Sequence, residues 1–213
     1  MAKLEIRMKR ARRHWSLVIG ISLVITHSSL VIASPHPELG SHYAAPAGTG
    51  RELLGTRAPE WTVGEWIGSK PLTLASLRGN VVLVRWWTAP DCPYCAASAD
   101  GLNELWTKYR DRGFSVIGMY HHKAKTPLTR AHVEAQAQRL GFKFPIAIDD
   151  DWKTLHKWWL DRADRGWTSV TFVIDREGII RHIHPGGAFF PGEPGYEALE
   201  KAIVTALDDA TSR

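Results

Sequence analysis

The chain has 213 residues but only two cysteines and three methionines, and no internal repeat is visible. Two cysteines exclude a scaffold stapled by several disulfides. With 44% hydrophobic residues and ten tryptophans, the chain can bury a core without staples. Proline is missing from one long stretch: none lies between Pro145 and Pro185. Excess charge is missing from most of the chain. Six of the 27 basic residues (Lys3, Arg7, Lys9, Arg10, Arg12 and Arg13) and one of the 22 acidic ones (Glu5) fall in residues 1–33, which leaves 21 of each beyond. The high isoelectric point belongs to that leader. The body carries no basic stripe, so no nucleic-acid partner is expected.

The leader itself reads as targeting. A basic region ends at Arg13, and "WSLVIGISLVITHSSLVIA", Trp15 to Ala33, is mostly apolar. Val31 and Ala33 fit the small-residue pattern that precedes cleavage. His27, Ser28 and Ser29 weaken the stretch as a membrane span. Residues 1–33 are therefore a signal peptide or an N-terminal membrane anchor. Arg12-Arg13 hints at twin-arginine export, although the following residues match that pattern poorly. Either way the body is expected in a periplasmic or other extracytoplasmic compartment, where dithiols cycle through disulfides. Residues 34–57, rich in Pro, Gly, Ala and Ser, read as a linker, and residues 58–210 as one domain.

Within that domain, "EWTVGEW" and "KPLTLASL" suggest a short N-terminal hairpin. "VVLVRWW", Val81 to Trp87, is a continuous apolar run, as expected of a strand covered on both faces. "PYCAASADGLNELWTKYRDRG" reads as one helix, "FSVIGMYHH" as a strand, "TRAHVEAQAQRLG" as a helix, "FPIAIDD" as a strand and "WKTLHKWWL" as a short helix. "SVTFVI", the turn "DREG" and "IIRHIH" form a late hairpin, and "GYEALEKAIVTALDDA" a last helix. The alternation predicts an α/β fold with a mixed, mostly parallel central sheet flanked by helices.

Both cysteines lie in "WWTAPDCPYCAAS". A working dithiol, half of a metal site and a structural staple are the readings such a pair allows. A disulfide closing so short a loop constrains the unfolded chain little, which disfavours the staple. Pro93 suits the first position of a helix, so Cys92 falls at its N-cap and Cys95 one turn on. The free N–H groups and dipole of a helix start stabilise a thiolate at Cys92, and Cys95 is close enough to resolve a mixed disulfide. The Asp91 carboxylate opposes that stabilisation.

A strand, "WWTAPDCPYC" and a helix resemble the thioredoxin-like fold. "LTLASLRGNVVLVRWW", "YRDRGFSVIGMY" and "TFVIDREGIIRHIHPG" extend the likeness, and over residues 58–209 the chain is similar to the TlpA/ResA-like branch of exported thiol–disulfide oxidoreductases, within the redoxin group. The resemblance implies Cys92 as nucleophile and Cys95 as resolving cysteine, with no cofactor. Protein thiols or disulfides are the partners it implies, a membrane electron donor is a further candidate, and the chain is expected to be a monomer. Pro93-Tyr94 matches the dipeptide usual in glutaredoxins. Two departures stand out. The loop from Trp87 to Cys92 is one residue longer than usual, and the family's cis-proline facing the dithiol is replaced by Ser169. A cis bond without proline costs about 3–4 kcal/mol, so Thr168–Ser169 is expected to be trans.

Other candidates are weaker. His121 ends a strand on the edge that carries Cys92, where it could move a proton, as could Glu193. Trp87, Pro93, Tyr94, Thr168 and Ser169 are expected as neighbours of the dithiol. His182 and His184 share one strand face, read as solvated. "PGGAFFPGEPG", with Phe189 and Phe190, is a candidate groove wall. Arg85, on an apolar strand, needs a partner if it is buried. The competing functions are a Cu(I)-binding metallochaperone and a thiol peroxidase of the peroxiredoxin type. The metal carriers of this fold usually place three residues between their cysteines, and the peroxidases carry a hydroxyl where this chain has Ala89. No metal site is assigned.

Overall fold

Seven buried residues in a row, Val81–Trp87, make β2 the centre of the sheet. The computed structural model describes residues 48–162 and 164–209; the leader, most of the linker and the last four residues lie outside them. In chain order the elements are β1 (Glu65–Ile67), β2 (Val81–Trp87), α1 (Pro93–Ala97), α2 (Ala99–Tyr109), β3 (Phe114–Tyr120), α3 (Arg130–Arg139), β4 (Ile146–Ile148), α4 (Lys153–Leu155), β5 (Thr171–Ile174), β6 (Ile180–His184) and α5 (Pro194–Asp208). Short 3-10 turns cover Arg51–Leu53, Ala75–Leu77 and Arg110–Arg112, and α4 widens into a π turn over His156–Leu160.

The sheet runs β1-β4-β3-β2-β5-β6. β2 pairs in parallel with β3, from Val81 opposite Phe114 to Trp87 opposite Tyr120, and β3 pairs in parallel with β4. The other three pairings are antiparallel, including the β5–β6 hairpin. The sheet is mixed as expected, but it is parallel only across β4-β3-β2. Side chains alternate across β2. Val81, Leu83 and Trp87 join Cys95, Leu102, Tyr196 and Leu199 in one core. Val82, Val84 and Trp86 join Trp61, Trp66, Trp158 and Trp159 in the other.

The structure corrects four expectations. No N-terminal hairpin forms. β1 instead pairs with β4, Trp66 opposite Ala147. The residues expected as its partner strand give their amides to side chains: Glu60 accepts from Leu74 and Ala75, while Thr73 and Ser76 accept from each other's backbone and hold a 3-10 turn. The helix after the cysteines is split at Ser98, whose hydroxyl donates to the Tyr94 carbonyl. The last described residues of the expected linker belong to the fold, because Gly55 donates to the Ile180 carbonyl and Thr56 accepts from the Ile180 amide on the hairpin. The face carrying His182 and His184 is half-buried rather than solvated. Thr168–Ser169 is trans, as expected; among the described residues the cis peptide is Ala89–Pro90.

Candidate active site

The site is built where β2 ends. Past Trp87 the chain runs through Thr88–Asp91 to Cys92, the N-cap of α1, with Pro93 at its first position. Cys92 and Cys95 form a disulfide, their Cα atoms 5.3 Å apart. Cys92 Sγ also accepts a hydrogen bond from the Cys95 amide at 3.1 Å, the contact that a helix start offers a thiolate. The two sulfurs differ in access: Cys92 is half-buried, whereas Cys95 is 2% exposed and packed in the core.

A cavity of ≈340 Å³ opens over the disulfide. Its lining brings Pro93, Tyr94, His121, Thr168 and Ser169 together with both cysteines, and adds Asp91, Lys123, Gly166 and Trp167, which the sequence did not single out as a groove. Tyr94 meets Trp167 edge to face at 5.5 Å, across the groove from helix to wall. Asp91 and Lys123 also line a second cavity of ≈640 Å³ bounded by Thr126, Pro127 and His132. Trp87 is not a wall. It is 1% exposed, lies beneath the motif in the core of Cys95, and packs edge-on against Tyr120 at 4.9 Å.

His121 is 1% exposed, donates its amide to the Trp87 carbonyl, and stands edge-on to Trp152 at 5.1 Å. Neither ring nitrogen has a hydrogen-bond partner among the described residues. Burial first, then the charges of Lys123 and Arg85, push its pKa down to about 3, so the imidazole is neutral at physiological pH. Burial likewise lowers the pKa of Lys123.

Glu193 has a structural use: its carboxylate caps α5, accepting from the amides of Gly195 and Tyr196, and it is not among the residues that line the groove. The loop after β6 is also not the expected wall. Phe189 is fully buried over Arg85, and Gly186 packs behind Trp167 so tightly that a Cβ there would sit 2.3 Å from the Trp167 Cβ. The loop supports the wall from behind. His184 lies against Phe189 at 5.3 Å, and burial pushes its pKa down to about 3.

Arg85 finds its partners here. Its guanidinium donates to the Ser169 carbonyl, to Thr171 Oγ1 at 3.0 Å, to the Gly187 carbonyl at 2.8 Å and to Ser98 Oγ at 3.4 Å. An arginine inside an apolar strand was the one sequence signal of this network. Trp167 and Lys123 gave none, since each is placed by a distant segment.

Residues 54–183 match the AhpC/TSA family. The protein DipZ of Mycobacterium tuberculosis is 32% identical over 162 residues, which are 75% of this chain but 22% of DipZ. The thiol-disulfide oxidoreductase ResA of Bacillus anthracis is 28% identical over 127 residues, 60% of this chain and 66% of that one. The chain thus spans about a fifth of DipZ and just under two thirds of ResA. Among solved structures, a thiol:disulfide interchange protein of the thioredoxin family from Chlorobium tepidum superposes with a TM-score of 0.54 at 19% identity, covering 78% of this chain and 99% of that one. That likeness carries the fold: a sheet with a CxxC pair at the start of a helix, beyond the end of its central strand. With the matched residues spanning β1 to β6, the chain belongs to the AhpC/TSA family and has a thioredoxin-like fold.

Proposed function

We propose that the protein is a thiol–disulfide oxidoreductase in which Cys92 is the nucleophile and Cys95 the resolving cysteine. One observation carries this reading: a disulfide at the floor of a groove, with the Cys92 end half-buried and Cys95 only 2% exposed and packed in the core. In the reducing direction the Cys92 thiolate attacks a partner's disulfide, forms a mixed disulfide and displaces one partner thiolate. Cys95, as thiolate, then attacks Cys92 Sγ, closes the Cys92–Cys95 bond and releases the second. Two electrons pass to the partner, and the run in reverse oxidises a partner dithiol. The direction follows the potential of the couple against that of the partner.

Pro93 and Tyr94 shape the groove's helix side, and Thr168 and Ser169 its far wall. His121, in the groove's lining, is the group placed to move a proton to or from the sulfurs. The partners are protein thiols or disulfides, seated across Tyr94 and Trp167, and no cofactor takes part. A monomer suffices, and a membrane electron donor suits a body delivered outside the cytoplasm by its leader. Among the described residues no helix is long and apolar enough to cross a membrane. Nor, among those residues, do three His, Cys, Asp or Glu side chains converge as a metal set. Ala89, buried on the approach to Cys92, supplies no hydroxyl for a peroxidase.

The test is substitution at the pair. Cys92→Ser should abolish reduction of insulin disulfides and trap no mixed disulfide. Cys95→Ser should accumulate a partner bonded through Cys92, seen on a non-reducing gel. Full activity in Cys92→Ser would overturn the assignment.

A further inference from the structure

Arg85 is 1% exposed in the middle of a strand whose other residues are apolar or aromatic. A buried guanidinium without a counter-ion is costly, and among the described residues no carboxylate pairs with it. Its hydrogen bonds go instead to neutral groups from three segments: Ser169 and Thr171 at the start of β5, Gly187 in the loop after β6, and Ser98 at the break between α1 and α2. These acceptors are themselves joined. Ser98 Oγ donates to the Tyr94 carbonyl at 2.8 Å and accepts from the Phe189 amide at 3.1 Å, and Ser169 Oγ accepts from the Gly187 amide at 3.3 Å. The guanidinium lies 5.0 Å from the Phe189 ring centre. One side chain therefore holds the helix of the cysteines, the wall that faces them, and the loop behind that wall.

We propose that Arg85 is a positioning residue for disulfide exchange at Cys92–Cys95: it fixes the Thr168–Ser169 wall opposite the sulfurs, and its uncompensated charge favours the thiolate of the reduced pair. This rests on the function proposed above. When a partner dithiolate reduces the disulfide, the partner's sulfurs bond to each other, the Cys92–Cys95 bond breaks, and the electron pair stays on the cysteines as thiolate until a proton arrives from water. That anion is opposite in sign to Arg85, which reaches the break after the cysteines' helix through Ser98. Several other groups bear on the same ionisation. Asp91 opposes it and Lys123 reinforces it; His121 is neutral, as is His184 behind Phe189; the Tyr94 phenol completes the groove.

Alkylation of the reduced protein by iodoacetamide, followed against pH, reads the charge effect. Arg85→Met should raise the pH midpoint by about one unit and raise KM for insulin several-fold. Arg85→Lys should restore most of the midpoint but not KM, because lysine cannot reproduce the guanidinium fork. An unchanged midpoint and KM in Arg85→Met, with only a lower Tm, would make the residue merely structural and overturn the proposal. If Arg85→Met does not fold, the unaltered protein still decides. Arg85 guanidinium ¹⁵N resonances of the reduced form should titrate at the alkylation midpoint, and resonances indifferent to it sink the idea. Loss of activity in Cys92→Ser together with an unmoved midpoint in Arg85→Met removes this inference alone. Full activity in Cys92→Ser removes the site reading itself.

Discussion

Two imidazoles, His121 and His184, are held neutral in the folded chain with pKa values of about 3, against an ordinary 6.5. Below pH 6.5 the unfolded chain binds protons that the folded chain refuses, so stability falls as pH falls and levels off near pH 3. Above pH 7 these two groups contribute no slope. Unfolding free energies from urea titrations at pH 7 down to pH 4 should fall by up to about 1.4 kcal/mol per pH unit for each histidine. His121→Leu should flatten the curve, and an unchanged slope in that variant would place the acid sensitivity elsewhere. At this scale the sequence was legible where chemistry is local. Cys92, Pro93 and Cys95 sit three residues apart at most, and their order alone sets cap, first turn and spacing. A glutamate before Pro194 has a use nearer than the dithiol, and Glu193 caps the helix that Pro194 begins. Arg85 was noticed but not solved, since its acceptors lie 13 to 102 residues away.

Strand β3 carries a test of packing between elements. Gly118 lies between β2 and β4, and a Cβ built there would sit 2.7 Å from Ile146 Cδ1 and 3.0 Å from Trp87 Nε1. The isoleucine tip can turn away, whereas the indole is fixed by Tyr120 and Phe142. Gly118→Ala should therefore cost about 1–3 kcal/mol in denaturant unfolding, and it should disturb thiol exchange more than a surface substitution of equal cost, because Trp87 lies beneath the motif. A loss below a few tenths would show that the indole gives way. The long apolar strands β2 and β3 and the amphipathic α2 and α5 were readable because burial imposes their period. The hairpin expected over residues 60–77 was misread for the opposite reason. Its pattern is too short to outweigh side-chain oxygens that take the same amides, and the partner of β1 lies some 80 residues on, in β4.

On the scale of the whole molecule, the sheet is a partition with β2 threaded through it. The order β1-β4-β3-β2-β5-β6 was only partly foreseeable, because alternation of strands and helices predicts parallel pairing but not that β1 closes the far edge. The partition also sorts the tryptophans. Trp61, Trp66, Trp86, Trp158 and Trp159 are gathered on one side, while Trp87 alone among the fully buried indoles described shares the cysteines' side. That sorting has an optical consequence. A disulfide accepts electrons from an excited indole and quenches its emission, so the closed Cys92–Cys95 bond should darken Trp87 and the groove's Trp167 and leave the opposite cluster bright. Adding dithiothreitol should raise the fluorescence, and Trp87→Phe and Trp167→Phe together should remove most of that rise while keeping the background. The fold would then report its own redox state without a label.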